Sequence, residues 1–309
     1  IDVRNEQIKQ AEFSVEAAKA DFLPDIQFTY EFGRAYRDPS TNANTTGGDQ
    51  SMQDRKSLVF SQKLFDGLRT QAEVKRTRKL VKQANVNRIL TMETVTRNVI
   101  EAYVDVLQYQ KTRDDAQNFI SEMRNLVSKI SEMERAGNLS RARLNLAQSR
   151  LASALTAFQN ANASYNDAVS NLELLTGELP DFEAVEPLSF DAGVYNIDTF
   201  LDFAETNNLQ IILNKITEEA LQHDYVSERG TYFPEINVVA RGDESYNKTE
   251  DPKIEQSASV LLEANWVLFD GFSRRASMNE IKSQIHENRY QLENTLREVI
   301  RDVKLAYNQ

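Results

Sequence analysis

The stretch Leu58-Val59-Phe60-Ser61-Gln62-Lys63-Leu64-Phe65-Asp66-Gly67 decides how the chain is read, because its ending occurs twice. Phe65-Asp66-Gly67 returns as Phe269-Asp270-Gly271, 204 residues on, and Ala102-Tyr103 returns as Ala306-Tyr307 at the same offset. Two landmarks that hold one spacing without a gap mark an internal duplication. Upstream, Asp21-Phe22-Leu23-Pro24-Asp25-Ile26 parallels Thr231-Tyr232-Phe233-Pro234-Glu235-Ile236 at an offset of 210. The six-residue difference falls in the polar run from Pro39 to Ser51, where a loop absorbs it.

Each copy has one plan. A helical segment stops at Pro24 or Pro234, since proline disfavours helix in the residue before it. Two strands follow, expected at 25–37 and 56–65 in the first copy and at 235–243 and 257–269 in the second. Ile26, Phe28, Tyr30 and Phe32 alternate with Gln27, Thr29, Glu31 and Gly33, and Leu58, Phe60, Gln62 and Leu64 alternate with Ser57, Val59, Ser61 and Lys63. Ile236, Val238 and Ala240, then Val260, Leu262, Ala264, Trp266 and Leu268, repeat the pattern. Strands of ~9–11 residues, apolar on one side and mostly polar on the other, suit a membrane barrel. The alternation alone also fits a soluble two-sided sheet. Aromatic residues near the strand ends (Phe22, Phe65, Tyr232, Phe233, Trp266, Phe269) favour the membrane, because such rings collect at bilayer interfaces. Asp66 and Asp270 stand where a helix N-cap is wanted.

The helices are long. The chain has only 10 Gly and 6 Pro, and none intervenes between Gly67 and the Ala136-Gly137 pair. Seventy residues of helix make a rod of ~100 Å. An apolar seam steps 3-4-3-4 through Val95, Val99, Ala102, Val106 and Tyr109, breaks at Arg113, and resumes at Ala116, Ile120, Met123, Val127 and Ile130. Gly137 suits a left-handed residue closing the rod, and Ser140 suits a cap for the next helix, so Arg135-Ala136-Gly137-Asn138-Leu139-Ser140 reads as a hairpin tip. The return seam runs Leu144, Ala147, Leu151, Ala154, Phe158, Ala161, Tyr165, Ala168, Leu172 and Leu175, large and small in alternation. Thr176-Gly177 ends it. A further helix is expected from about Asp198 to Arg229.

The expected division is therefore a first repeat at 1–177, with the long hairpin at 66–177, and a connecting, equatorial segment at 178–198. A second repeat follows at 199–309, ending in a long helix, 270–309, that is cut short. The counterpart of residues 104–176 would follow Tyr307, so the chain is expected to be a piece of a longer protein. The fold class is α+β, mostly coiled coil, with four strands per chain.

The remaining composition excludes more than it suggests. The 309 residues carry a net charge of −11, which argues against nucleic acid as a partner. Cysteine is absent, and the two histidines, His223 and His286, lie far apart, so neither a metal site, a cofactor nor a catalytic centre is expected. The acidic pairs Asp114-Asp115 and Glu218-Glu219 read as solvated helix faces. No run approaches the ~20 apolar residues of a membrane-spanning helix, and Ile1 opens within a polar helical pattern without a leader.

Four amphipathic strands cannot close a barrel, and open edges are not tolerated in lipid. Two chains supply eight strands and three supply twelve. Eight leave an interior filled by side chains, whereas larger barrels hold water.

The duplicated helix–Pro–strand pair–Asp-Gly–long helix plan, the tip 135–140, and Leu174-Leu175-Thr176-Gly177 together resemble the TolC family of outer-membrane exit ducts. The resemblance covers essentially the whole chain. It implies a homotrimer with a twelve-stranded barrel in outer-membrane lipid and a helical tunnel in the periplasm. It implies cargo received from an inner-membrane transporter through a periplasmic adaptor that meets the tip at Arg135, Gly137, Asn138, Leu139 and Ser140. The Phe-Asp-Gly junctions and the tip look closer to members serving type I protein secretion, with an ABC-type transporter, than to drug-efflux members. Where several relatives have an acidic residue six positions after the tip glycine, helping to latch the entrance, this chain has Arg143, with Arg141 beside it. Those arginines imply a latch of reversed polarity, a constriction formed instead by the second hairpin, or a solvated helix end. The competing reading is a soluble periplasmic coiled-coil adaptor or scaffold, which the strands at the base of each long helix fit poorly.

Overall fold

The structure, a computed structural model, describes residues 1–37, 49–177, 196–248 and 253–308. Its elements are α1 (Asp2–Ala20), β1 (Asp25–Arg37), β2 (Asp49–Phe65), α2 (Arg69–Arg135), α3 (Arg141–Thr176), α4 (Ile197–Asn207), α5 (Leu209–Gly230), β3 (Glu235–Lys248), β4 (Lys253–Asn265) and α6 (Ser273–Tyr307). Most of the connecting segment expected at 178–198, and most of the polar loop expected at Pro39–Ser51, lie outside the described residues. The chain divides into two compact units, Ile1–Arg88 with Tyr195–Gln309, and Ile89–Val194.

In the first unit the four strands form one antiparallel sheet in the order β1-β2-β3-β4. Asp25 faces Ser61 and Glu235 faces Asn265, so the two hairpins of the duplication share one register, residue for residue. Between them β2 pairs with β3, placing Phe60 opposite Ala240 and Leu58 opposite Gly242, with a bulge between Lys63 and Phe65. Because every register joins even numbers to even numbers above the bulge, Ile26, Phe28, Phe60, Leu58, Val238, Ala240, Val260 and Leu262 fall on one face. Its outer strands are bare, with Ile26 and Phe28 65% exposed and Val260 75%, while Phe60, Val238 and Ala240 between them are partly covered. The opposite face is mostly polar, with Gln27, Thr29, Glu31, Arg55, Ser57, Arg241 and Glu263 beside the apolar Val59, Val239 and Leu261, and Arg55 Nη1 lies 3.6 Å from Glu31 Oε2. A polar row closes the far end of the apolar band, where Lys56 Nζ donates to Glu244 Oε1 at 3.0 Å and Gln256 Nε2 to Glu244 Oε2 at 2.9 Å.

Strand limits differ from expectation in three places. β2 begins at Asp49 instead of 56 and β3 continues to Lys248 instead of 243. Those extensions are mostly polar, so hydrophobic alternation gives no sign of them, while backbone pairing continues. β4 spans 253–265 instead of 257–269, and among the described residues no strand lies beside Trp266 to Phe269 to pair with them.

In the first unit α5 packs against α6 and α4, and its polar side chains reach the start of α2. Ile211 is fully buried there. Glu218 accepts from Arg289 of α6 at 2.8 Å, and Glu219 pairs with Lys79 of α2. The acidic pair therefore bridges to two different helices and is not a plain solvated face. The expected single helix 198–229 is two, α4 and α5, broken at Asn208. Asn208 adopts an extended backbone (φ −62°, ψ 123°), and its Oδ1 accepts from the amides of Gln210 and Ile211, capping α5.

In the second unit α2 and α3 pack as an antiparallel pair. Ala102, Val106 and Leu172 are buried together, with Val99, Tyr165, Ala168 and Leu175 around them. Ala147, Ala154 and Ala161 are also buried, so the small residues of the return seam take the inner positions. Arg113, the break in the outgoing seam, lays its guanidinium 4.2 Å from the centroid of Tyr165. A cation over an aromatic face occupies the seam where an aliphatic residue was expected.

Candidate functional site

Two kinds of place carry the expected functional residues: the strand–helix junctions of the first unit and the helical tip of the second.

At each junction the chain leaves a strand and turns into a helix through two successive left-handed residues. Gly67 and Leu68 have φ of 72° and 70°, and Gly271 and Phe272 have 66° and 69°. A bulky side chain at positive φ costs ~1–2 kcal/mol, so the same cost is met in both copies. The aspartates hold these turns. Asp66 Oδ2 accepts from the Thr70 amide at 2.9 Å and from Thr70 Oγ1 at 2.5 Å. Asp270 Oδ2 accepts from the Arg274 amide at 2.9 Å and from Arg274 Nε at 2.8 Å. The N-cap position of α6 is Phe272, not Asp270, so the aspartate caps from two residues earlier, reaching over the left-handed pair. Burial pushes the Asp66 carboxyl up, but the Thr70 hydroxyl and amide and the nearby Lys63 outweigh it and hold it below the usual range. The Arg274 amide, working against slight desolvation, lowers Asp270 likewise.

The prolines end the helices that precede the strands, and the adjoining segments dock onto the junctions. Gln62 Nε2 donates to the Phe22 carbonyl at 3.1 Å, and Trp266 Nε1 donates to that of Tyr232 at 3.0 Å. Arg274 also donates to the Thr231 carbonyl at 3.0 Å and lies over the Tyr232 ring. Phe65 and Phe233 meet edge to face, 6.4 Å between centroids. The expected aromatic residues Phe22, Phe65, Tyr232, Phe233, Trp266 and Phe269 are thus gathered at one end of the sheet, and all are at least 36% exposed. Thr70, Arg274, Leu68 and Phe272 were not anticipated. Their sequence signal is a hydrogen-bonding residue four positions after each Asp-Gly aspartate.

The tip closes as expected at Gly137, whose φ is 75°. The Gly137 amide donates to the Glu134 carbonyl at 2.9 Å and the Asn138 amide to that of Met133 at 2.9 Å, the paired bonds of a Schellman closure. Ser140 takes the N-cap position of α3 by its backbone, but its side chain makes no capping bond. Arg135, Gly137, Asn138 and Ser140 are exposed and Leu139 is half-buried. Arg141 and Arg143 are exposed and form no ion pair among the described residues. A Cβ on Gly137 would meet open space. The tip is an uncommitted polar surface on a rigid closure.

Among the described residues no group of His, Cys, Asp and Glu could hold a metal, and no helix is long and apolar enough to cross a membrane.

The family described as Outer membrane efflux protein matches residues 4–178 and 201–309. The alkaline protease secretion protein AprF of Pseudomonas aeruginosa is 24% identical, over 94% of this chain and 62% of its own length. The chain thus spans less than two thirds of that relative. Crystal structures of CusC (TM-score 0.76, 13% identity, 97% of this chain and 69% of that one) and of the Campylobacter jejuni CmeC outer membrane channel (0.74, 13%, 96% and 64%) share the fold.

Proposed function

The chain belongs to the Outer membrane efflux protein family, and on that premise we propose that it is one subunit of a passive exit duct in a three-part export system. Its place is the outer membrane, with the helical tunnel on the periplasmic side. The observation that carries the proposal is the sheet. Four strands present an apolar face that is bare on its outer strands, a mostly polar reverse and an aromatic end, which suits lipid on one side and a wet lumen on the other. A soluble adaptor or scaffold has no use for such a face.

Three copies, giving twelve strands, close the barrel and leave its interior open to water. The chain is read as two repeats, 1–177 and 199–309, joined by 178–198. The tip residues Arg135, Gly137, Asn138, Leu139 and Ser140 meet the periplasmic adaptor, and Arg141 and Arg143 latch the entrance until it docks. The similarity to a protein named for alkaline protease secretion supports protein cargo and an ABC-type inner-membrane transporter, that is, type I secretion. The duct performs no chemistry; energy enters at the transporter.

The test is the protein mass of the detergent-solubilised complex, measured by light scattering corrected for bound detergent. A mass near three chains is expected. A monomer that stays in solution without detergent would sink the proposal.

A further inference from the structure

Among the described residues only two that are not glycine have a left-handed backbone, Leu68 (φ 70°) and Phe272 (φ 69°). A Cβ makes that conformation costly. Both side chains are bulky and apolar, yet they are left in the open, 55% and 67% exposed, so burial does not offset the strain. Each stands directly after an Asp-Gly turn, at the aromatic end of the sheet, where a strand gives way to a long helix. Leu68 follows β2, which already has β1 on one side and β3 on the other, so its exposure is not that of a free edge.

The helix that starts beside Leu68 continues this surface with charge. Steps of 3-4-3-4 from Leu68 along α2 meet Gln71, Lys75, Arg78 and Lys82, and all five residues are exposed. The inner side of the same turns is Thr70, Ala72, Val74 and Thr77, all buried. Glu73, the only acid from 69 to 82, pairs with Arg76, and Lys79 is taken by Glu219 of α5. Lys75, Arg78 and Lys82 form no ion pair among the described residues, with Glu219 the acid near Lys82. The duplication repeats the stripe. The same steps from Phe272 along α6 meet Arg275, Asn279, Lys282 and His286, again all exposed and none acidic, with Lys282 also lying over the Tyr225 ring. In a chain of net charge −11, two acid-free stripes headed by strained apolar residues run against the average.

We propose that these stripes bind the phosphates of anionic phospholipid headgroups in the leaflet at the aromatic end of the sheet, with Leu68 and Phe272 seated at the acyl boundary. This rests on the duct reading and adds a lipid class to it. A headgroup layer is ~5–8 Å deep. At a rise of ~1.5 Å per residue, Lys75 lies ~10 Å beyond Leu68, Arg78 ~15 Å and Lys82 ~21 Å. Helical side chains lean toward the N-terminus, which here is toward the sheet, so the long stems carry their charges back by several ångström. Lys75 enters the layer and Arg78 meets its edge. Lys82 stays outside and acts only through the ~8 Å reach of a screened charge. A wet lumen offers an exposed leucine nothing, and zwitterionic lipid gives three cations no net counter-charge. Anionic lipid suits both.

The test uses the full-length protein reconstituted in phosphatidylcholine vesicles. This chain has no cysteine, so Gln71→Cys gives it one site for a fluorophore, between Leu68 and Lys75. A minor share of lipid brominated in its acyl chains is added as phosphatidylglycerol or as phosphatidylcholine, and quenching is compared. Phosphatidylglycerol is expected to quench at a several-fold lower mole fraction, with parity restored in high salt. Lys75→Gln is expected to cut that preference about fivefold, Arg78→Gln less and Lys82→Gln least; an order led by Lys82 overturns the depth assignment. Leu68→Asn, better suited to the left-handed backbone, is expected to weaken quenching by both lipids without lowering the melting temperature, and unchanged quenching would remove Leu68 as an anchor. Equal quenching by the two lipids at low salt overturns phosphate recognition. Loss of the preference in inorganic phosphate, but not in chloride of equal ionic strength, assigns the stripe to a free anion and overturns the lipid. No quenching by either lipid in a complex with the mass of three chains overturns the proposal and spares the duct. A protein of monomer mass that does not enter vesicles overturns both.

Discussion

Gly67 and Gly230 touch backbone to backbone: no Cβ fits on either without moving the other element, since one on Gly230 would lie 2.3 Å from Arg69 Cγ and 2.9 Å from the Gly67 carbonyl. This contact joins the end of α5 to the turn that starts α2. Gly67→Ala is expected to destabilise by more than the ~1–2 kcal/mol of left-handed strain alone. Gly137→Ala, at nearly the same φ but in open space, serves as the strain-only control. Denaturant unfolding of the two variants should separate them, and equal losses would refute the contact's importance.

Asp66 should be worth about as much as a helix cap. Asp66→Ala removes both bonds to Thr70, and the expected loss is about 1 kcal/mol, with Asp66→Asn recovering most of it. Because the native carboxyl is held below its ordinary range, its contribution is complete above that range and is lost as pH falls from there through the lowered native value. Acid titration of unfolding should therefore show a shallower decline in Asp66→Ala than in the parent.

His223, on α5 beside Lys75 and Lys79, gives a second pH dependence. Burial first, then the two lysines, push its imidazole down, against a smaller upward pull from Glu219. The folded protein thus favours the neutral ring. Its contribution is complete above the ordinary histidine value of ~6.5 and shrinks as pH falls below it. Melting followed by helical circular dichroism between ~pH 7 and 5 should decline less steeply in His223→Gln. Parallel curves would show that His223 contributes nothing.

The stack of Arg113 on Tyr165 replaces an apolar seam contact. A double-mutant cycle with Arg113→Met and Tyr165→Leu is expected to give a coupling of ~0.5–1 kcal/mol. A coupling near zero would reduce Arg113 to a solvated interruption of the seam.

At the tip, Asn138→Arg and Leu139→Glu should abolish adaptor cross-linking and export while shifting stability by less than ~0.5 kcal/mol, as surface changes usually do. Export at the parent rate from both variants would remove the tip from the docking surface.

Much of this was legible in the chain because the deciding patterns are local or repeat. Two-residue alternation marked the apolar face from Ile26 to Phe32, and the heptad steps marked the seam around Ala102 and Val106. Pro24, Pro234, Gly67, Gly271 and Gly137 each mark a backbone state that few other residues permit. The duplication adds long-range information, since it equates two distant segments.

What stayed hidden depends on neighbours in space. Asp66 and Asp270 read as N-caps, but the left-handed pairs Gly67-Leu68 and Gly271-Phe272 place each carboxylate beyond the cap and aim it at Thr70 and Arg274. Glu218 and Glu219 are adjacent in sequence and diverge to separate helices only because α5 lies between α2 and α6. Equal sequence at the two junctions also conceals that Gly67 meets the Gly230 backbone, whereas a Cβ on Gly271 would meet nothing within 4 Å among the described residues. By itself the sequence determined most elements, the apolar face of the sheet and the repeat, because these follow from backbone preference and side-chain period. The tertiary structure decided which edges and glycines find a partner, because a contact depends on where two segments of chain meet, and no local pattern encodes that.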